Sequence, residues 1–218
     1  MASIRTLIAD DHPIFLEGLK IFLSKHPEIE IVGTATDGEE ASYLLHKYNY
    51  DLLLLDINLP LKSGLDILLD LQKIEEKPAV LMLSMYSEDE IIEVAIRRGA
   101  DGYLVKNAQL KELDYAIEEV INGGFYLGSD IQLDMPSFSI TRDEPILSPH
   151  LTRHYELTKR ETEILGLIAK TRTNKQIGAM LNISDQTVGV HRKNILRKFG
   201  VHNTANLIRK VYEFERSN

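Results

Sequence analysis

Two periodicities of hydrophobic and polar positions alternate along the first half of the chain. Short apolar runs that are mostly free of polar alternation predict strands that are buried on both faces of a sheet. Between them, apolar residues recur every three or four positions, which is the spacing of amphipathic helices. The predicted strands are residues 4–9, 30–35, 52–55, 80–83 and 102–105. Five strands alternating with five helices predict a doubly wound α/β fold with a parallel sheet, in which ligands bind at the carboxyl ends of the strands.

The pattern changes after the fifth helical segment. From Gly123 to about Tyr155 neither period persists, and Pro149 is one of three prolines that interrupt any long element. Helical spacing returns only beyond this stretch, so we predict two domains joined by a linker. The predicted parts are an α/β domain at residues 1–122, a linker at residues 123–154 and a small all-α domain at residues 155–218.

Four short helices are predicted between about residue 158 and about residue 214. Thr158-x-x-Glu161 has the form of a capping box, which marks a helix N-terminus. Ser184 is a good N-cap for a longer helix that Gly200 ends. The segment before this helix and the helix itself have the dimensions of a helix-turn-helix motif.

Composition excludes several classes of protein. The 218 residues are 44% hydrophobic and 27% charged, which is enough apolar material for folded cores and excludes a fibrous or disordered chain. No apolar run approaches the roughly 18 residues that a membrane-spanning helix needs, and residues 1–10 lack the layout of a signal peptide. We therefore expect a cytoplasmic protein with no membrane partner. The absence of cysteine excludes disulfides, thiol catalysis and cysteine-ligated metals.

Charge is distributed unevenly around a net charge of −8. Residues 1–130 carry 11 Lys and Arg against 24 Asp and Glu, a net charge of −13, whereas residues 151–218 carry 13 against 6, a net charge of +7. This asymmetry predicts a polyanionic partner for the second domain and a different partner for the first.

Acidic residues follow two of the predicted strands. Asp10 and Asp11 come directly after the first strand and Asp56 directly after the third, so all three carboxylates are expected at the same edge of the sheet. Clustered carboxylates repel one another unless a hard cation neutralises them, which predicts bound Mg²⁺. Ser84 and Lys106 end the fourth and fifth strands and add a hydroxyl and an ammonium group. This set suits a phosphoryl group carried by Asp56.

Each of these residues also has an ordinary structural explanation. An Asp after a strand is often only the N-cap of the next helix, and a single Ser or Lys at a strand end often has no special role. The joint occurrence of five suitable residues at neighbouring strand ends favours the phospho-acceptor interpretation.

The motifs that contain these residues resemble the receiver domain of two-component response regulators over about residues 1–122. The matching segments are Asp10-Asp11, Leu52–Pro60, Gly64, Leu81–Ser84 and Gly102–Lys106. The resemblance implies that Asp56 accepts phosphate from the phosphohistidine of a partner kinase. It implies that Ser84 is the switch hydroxyl and Tyr103 the switch aromatic residue. It further implies that Asp10 or Asp11, Asp56 and the main chain of Asn58 hold Mg²⁺.

The long helix after Ser184 is amphipathic. A helical projection places Val188, Ile195 and Phe199 on one face, which we interpret as core. The opposite face carries Gln186, Val190, Lys193 and Arg197. Such a polar face is often merely solvated, but the basic residues concentrated around the motif favour a face that enters the DNA major groove. Those basic residues are Lys175, Arg192, Lys193, Arg197 and Lys198.

Segments of the second domain resemble the LuxR-type helix-turn-helix, and the whole chain resembles the NarL/FixJ subfamily of response regulators. The matching segments are Leu157–Leu165, Asn174–Ile177 and Ser184–Lys198. The resemblance implies base contacts by Val190 and Lys193. It implies phosphate contacts by Lys175, His191 and Lys198, and a last helix that forms a homodimer on activation. Gly189 departs from the family, because a base-contacting Lys is common at that position.

These observations predict a transcription regulator whose DNA binding is controlled by phosphorylation of Asp56, and not an enzyme. One alternative is a regulator that binds DNA without being phosphorylated. A second is a phosphatase of the haloacid-dehalogenase kind, which also has an Asp after a buried strand. Such phosphatases need a second acidic residue two positions further on, where this chain has Asn58.

Overall fold

The computed structural model describes residues 3–74, 77–131, 147–169, 172, 174–201 and 203–216, except for the side chains of residues 205, 212, 213 and 216. The chain forms two compact units. The first comprises Met1–Ile121 with Tyr126–Gly128, and the second comprises Asn122–Phe125 with Ser129–Asn218. No helix among the described residues is both long and apolar enough to cross a membrane.

The first unit contains a parallel sheet with strand order β2-β1-β3-β4-β5-β6. Its strands are β1 (Ile4–Ala9), β2 (Ile29–Ala35), β3 (Leu52–Leu55), β4 (Ala79–Ser84), β5 (Gly102–Val105) and β6 (Tyr126–Leu127). The four leucines of β3 are each at most 1% exposed, as expected for a central strand covered on both faces. The predicted doubly wound α/β fold is confirmed.

Five helices follow the first five strands of this sheet. They are α1 (Pro13–Leu23), α2 (Gly38–Lys47), α3 (Gly64–Leu71), α4 (Asp89–Arg97) and α5 (Leu110–Ile121). Each buries one apolar stripe, which in α5 consists of Leu113, Ala116, Ile117 and Val120. Polar caps fix where two of these helices begin: Asp37 accepts a hydrogen bond from the Glu40 amide, and Ser63 accepts one from the Asp66 amide.

Two short elements lie within the range predicted to be a linker. Strand β6 pairs with β5, with Tyr126 opposite Gly102, and helix α6 spans Pro149–His154. Pro149 does not interrupt a helix there but begins one. The amides of the first helical turn have no hydrogen-bond acceptor within the helix, so the amide proton that proline lacks is not needed at this position. The linker boundaries stay a prediction, and residues 132–146 lie outside the described part of the chain.

The second unit is helical. Its helices are α6 (Pro149–His154), α7 (Lys159–Ala169), α8 (Asn174–Leu181), α9 (Asp185–Phe199) and α10 (Thr204–Arg216). The predicted capping box is present: Glu161 Oε2 accepts from the Thr158 amide at 2.8 Å, and Thr158 Oγ1 accepts from the Glu161 amide at 3.2 Å. Ser184 caps α9, and Gly200 ends it with a left-handed φ of 61°.

Candidate functional site

The three predicted carboxylates come together at the carboxyl edge of the sheet. Strands β1 and β3 are neighbours with Ala9 paired to Leu55, so the residues that follow them meet. Asp10 is 1% and Asp56 3% exposed, while Asp11 is partly exposed. Carboxylate oxygens of all three and a ring nitrogen of His12 lie within 4.8 Å of one another. The sheet therefore builds an acidic pocket from residues that are far apart in the sequence.

Lys106 supplies the cation of this pocket. Its Nζ lies 2.7 Å from Asp10 Oδ2 and 2.8 Å from Asp56 Oδ2, and its side chain is 4% exposed. The ammonium also lies 4.8 Å from the centre of the Phe15 ring. Since Lys106 follows β5, the sheet order places it across β4 from Asp56. A buried ion pair of this kind holds both partners in a fixed geometry.

The donor set of the pocket fits Mg²⁺. Three carboxylates and one ammonium leave two negative charges uncompensated, and carboxylate oxygens are the ligands that a hard divalent cation prefers. Asp10, Asp11 and Asp56 are the residues that would hold the ion. Asn58, whose main chain was predicted to be a further ligand, lies two residues beyond Asp56 and donates a side-chain hydrogen bond to the Tyr86 hydroxyl at 2.9 Å.

His12 belongs to the pocket and was not predicted from the sequence. Its Nδ1 lies 2.8 Å from Asp11 Oδ1 and 3.5 Å from Lys106 Nζ, and its main-chain amide donates to Asp10 Oδ1 at 2.9 Å. The available signal was its position directly after the two aspartates. That signal is weak, because the direction of the His12 side chain depends on the backbone path between β1 and α1. The sequence restricts the residue before a proline but does not give this path.

The two predicted switch residues lie on neighbouring strands, where Ser84 is paired with Val105 and Tyr103 with Met82. Ser84 ends β4 and is 1% exposed, and Tyr103 in β5 is completely buried. The Tyr103 hydroxyl donates to the main-chain oxygen of Tyr86 at 2.9 Å, while the Tyr86 amide donates to Ser84 Oγ at 3.2 Å. Burial raises the pKa of Tyr103 to about 12, so its hydroxyl stays protonated and available as a donor at neutral pH. Tyr86 was not identified from the sequence.

The predicted orientation of the α9 helix agrees with the structure. Val188, Ile195 and Phe199 are at most 1% exposed and form part of the core of the second unit. All four residues of the opposite face are exposed; they are Gln186, Val190, Lys193 and Arg197. Lys175 on α8 is also exposed and His191 is half-buried. The exposed face has both charge and an apolar contact point, which suits a DNA groove.

Two basic residues of α9, Lys198 and Arg192, have structural partners. Lys198 Nζ lies 2.7 Å from Glu161 Oε2 and donates to the Glu156 main-chain oxygen at 2.7 Å. Burial acts to raise the pKa of Glu161, but hydrogen bonds from Lys198 and Thr158 outweigh it, and the pKa lies below its ordinary value. Lys198 stays a predicted phosphate contact.

Arg192 was wrongly counted with the surface charges. It is 3% exposed, and its guanidinium donates to Thr204 Oγ1 at 3.2 Å and to the Arg172 main-chain oxygen at 2.6 Å. Arginine presents several donors in a fixed plane, so it can join two segments of backbone and side chain inside a small domain. Its role here is structural.

A buried acidic pocket at the carboxyl edge of a doubly wound sheet, followed by a helix-turn-helix, is the arrangement found in signal-controlled DNA-binding proteins. Residues 6–118 match the family model of the response regulator receiver domain, and residues 155–211 match that of the bacterial regulatory proteins of the luxR family. The chain therefore belongs to the two-component response regulators with a LuxR-type DNA-binding domain, and it is a transcriptional regulator.

Curated relatives align over nearly the whole chain. The transcriptional regulatory protein MctR of Rhizobium johnstonii is 36% identical over 207 residues, which cover 95% of this chain and 92% of that protein. The nitrate/nitrite response regulator protein NarL of Escherichia coli K12 is 34% identical over 192 residues, covering 88% and 87%. DegU of Brevibacillus brevis is 34% identical over 210 residues, covering 92% and 89%.

Solved structures support the fold. The receiver domain of the response regulator NarL from Mycobacterium tuberculosis is 31% identical, with a TM-score of 0.54 over 56% of this chain and 99% of that one. The response regulator RcsB of Salmonella typhimurium is 21% identical, with a TM-score of 0.56 over 97% of this chain and 99% of that one. The second likeness bears on the fold alone.

Proposed function

We propose that Asp56 accepts a phosphoryl group from the phosphohistidine of a sensor histidine kinase, and that this modification controls DNA binding by α9. The observation that carries the proposal is the Asp56 carboxylate, 3% exposed, held 2.8 Å from the Lys106 ammonium within a cluster of carboxylates. A buried carboxylate with a fixed cation beside it is preorganised for a group that brings more negative charge.

The transfer is a substitution at phosphorus. A carboxylate oxygen of Asp56 forms a bond to phosphorus while the bond between phosphorus and the kinase imidazole nitrogen breaks. The electron pair of that bond leaves with the imidazole, so no oxidant or reductant is needed. Mg²⁺ held by Asp10, Asp11 and Asp56 would neutralise charge on the phosphoryl oxygens. Lys106 pairs with a phosphoryl oxygen, and the Ser84 hydroxyl, as the switch hydroxyl, donates to another.

DNA recognition is assigned to the exposed face of α9 and its surroundings. Val190 and Lys193 contact base edges, with Gln186 and Arg197 on the same exposed face. Lys175, His191 and Lys198 are the proposed phosphate contacts, and α10 pairs two chains. Two recognition helices then reach successive major grooves of a two-part site. The protein acts where the chromosome is, in the cytoplasm.

Phosphoprotein electrophoresis after treatment with acetyl phosphate tests the assignment of Asp56. The wild-type chain should shift in the presence of Mg²⁺ and lose the shift in excess EDTA, because the carboxylate cluster otherwise repels the incoming group. Asp56→Asn keeps the side-chain shape and should not shift. A shift of that variant at an acyl-phosphate-sensitive site would contradict the proposal, and steady release of phosphate from a phosphoester would support the phosphatase alternative.

A further inference from the structure

The ring of His12 faces the same space as the three carboxylates of the acidic pocket. Its Nδ1 lies 2.8 Å from Asp11 Oδ1, 3.3 Å from Asp10 Oδ1 and 3.8 Å from Asp56 Oδ2. Ligands that bind one transition-metal ion at about 2.0–2.2 Å lie about 3.0–3.4 Å from their neighbours. The observed separations straddle that range, so the ring nitrogen and the carboxylate oxygens surround a common point.

The contact between His12 and Asp11 is close but is not a hydrogen bond. Although the two atoms are 2.8 Å apart, Asp11 Oδ1 is buried and accepts no hydrogen bond from any described residue. A hydrogen bond would direct an N–H at the oxygen, whereas two metal ligands direct their lone pairs at the ion between them. A buried oxygen without a hydrogen bond is rare, and this one has an acceptor position that a cation can take.

The backbone before α1 orients the ring. His12 is the N-cap residue of α1, but its side chain makes no capping hydrogen bond, and its main-chain amide donates to Asp10 Oδ1 at 2.9 Å. Pro13 restricts its backbone to the extended region, with φ of −93° and ψ of 104°. The His12 side chain is 57% exposed, so an ion can reach its nitrogen from solvent.

We propose that His12 is a metal ligand, and that it makes the acidic pocket selective for transition-metal ions such as Zn²⁺ over Mg²⁺. Imidazole nitrogen suits Zn²⁺ and other first-row transition metals, whereas Mg²⁺ takes oxygen ligands. A site of three carboxylates alone would bind its ion without using His12. The proposal rests on the proposed function, because it names the class of ion that the pocket around Asp56 takes.

Isothermal titration calorimetry of the full chain with Zn²⁺ and, separately, with Mg²⁺ tests this selectivity. His12→Ala should lower the Zn²⁺ association constant at least about tenfold, since even residues that only orient a ligand contribute that much. The Mg²⁺ association constant should stay as in the wild type, which also shows that the pocket is still folded. His12→Gln keeps a polar side chain without the imidazole and should behave in the same way.

A second pair of histidines supplies the matched control. His150 and His154 are exposed on α6 with ring centres 6.4 Å apart, a pair that can collect Zn²⁺ at the surface. His154→Ala should leave the tightest Zn²⁺ site unchanged. Nitrogen-15 NMR of the histidine-labelled chain identifies the ligand directly, because Zn²⁺ should shift the Nδ1 resonance that His12→Ala removes.

An equal ratio of the Zn²⁺ and Mg²⁺ association constants in wild type and His12→Ala would overturn the proposal. Tight Zn²⁺ binding that His154→Ala abolishes would overturn it as well. The proposed function fails in a different way, through a wild-type chain that takes no phosphoryl group on Asp56 in the presence of Mg²⁺. That result comes from electrophoresis and does not use Zn²⁺.

Discussion

Leu61 adopts a left-handed backbone conformation, with φ of 66°, that leucine rarely takes. Its side chain is 77% exposed, so it gains little from burial in return. The left-handed conformation costs a non-glycine residue about 1–2 kcal/mol. Replacement by glycine removes this cost but adds about 0.5–1 kcal/mol, because glycine has more conformational freedom to lose when the chain folds. Leu61 follows Pro60 in the loop from β3 to α3, the loop that begins with Asp56, and backbone strain is often retained near functional sites.

We therefore expect Leu61→Gly to raise the free energy of unfolding by up to about 1 kcal/mol. Urea unfolding followed by circular dichroism measures it. Leu110→Gly is the control, because Leu110 is also an exposed leucine but has an ordinary φ at the start of α5. This substitution should lower the free energy of unfolding by up to about 1 kcal/mol. A loss of stability in both variants would show that the Leu61 side chain has a stabilising contact that outweighs the strain.

Lys193 and Lys198 are both basic residues of α9, but the structure separates their roles. Lys193→Ala should weaken operator binding by about 1–3 kcal/mol, because it removes a predicted base contact. It should leave the free energy of unfolding unchanged. Lys198→Ala leaves the buried Glu161 carboxylate without its cation and should lower the free energy of unfolding by about 1–3 kcal/mol. Because the fold lowers the pKa of Glu161, this stabilisation is present at neutral pH and is lost as the pH falls through its folded pKa.

Binding isotherms at several salt concentrations, together with urea unfolding, distinguish these outcomes. A Lys198→Ala variant that also lowers the salt slope by about one would establish its predicted phosphate contact. Native stability of that variant would contradict the role given to the ion pair with Glu161.

At the scale of elements, the start of α3 constrains the backbone at Asp56, the proposed phosphorylation site. A Cβ atom at Gly64 would lie 2.1 Å from the main-chain oxygen of Asp56, whereas one at Gly18 in α1 meets no atom within 4 Å. Gly64→Ala should therefore displace Asp56, lower the free energy of unfolding by about 1–3 kcal/mol and slow labelling by acetyl phosphate. Gly18→Ala should raise stability by about 0.5–1 kcal/mol and label normally. Equal effects of the two would contradict the close approach at Gly64.

The elements also show what the sequence pattern could predict. Strands at 4–9, 52–55 and 102–105 were predicted to the residue, because each is a mainly apolar segment followed directly by a charged residue, which marks the end of the strand. Strand β6 was not predicted, because a strand of two residues is too short to show a periodicity of hydrophobic and polar positions. Helix α6 escaped because Pro149 signals either an interruption or a start, and only the Ser148 cap, which accepts from the Leu151 amide, decides between them.

The acidic pocket could be predicted because strand order alone brings its residues together. Asp10, Asp56 and Lys106 follow neighbouring or nearby parallel strands, and no side-chain geometry was needed to place them. His12 and Tyr86 depend on loop direction and on hydrogen bonds made by the main chain, which residue type does not encode. The buried Arg192 was missed for a similar reason, since charge counts cannot tell a solvated cation from a satisfied one.

On the scale of the whole molecule, the proposed function requires that phosphorylation of the acidic first unit changes DNA binding by the basic second unit. Phosphorylation of Asp56 would add about 1.5–2 negative charges beside Lys106, and we expect this group to draw the Ser84 hydroxyl inward. We propose that the effect on DNA comes through dimer formation, because once one half of a dimer is bound, the second contact is intramolecular.

Beryllofluoride, a phosphoryl mimic, should therefore increase both the dimer fraction and the DNA affinity of the wild-type chain. Sedimentation velocity and binding isotherms at fixed salt measure these quantities for wild type, Ser84→Ala and Tyr103→Ala. Ser84→Ala removes the hydroxyl that is expected to donate to the phosphoryl group. Tyr103→Ala removes the aromatic side chain that is expected to turn inward when Ser84 moves. Both variants should therefore show a weak response to beryllofluoride. Tyr115→Phe, at an exposed position of α5, is the control and should respond as fully as wild type. Full responses by both switch variants would mean that Ser84 and Tyr103 only pack, and that dimer formation follows from the charge on Asp56 by another route.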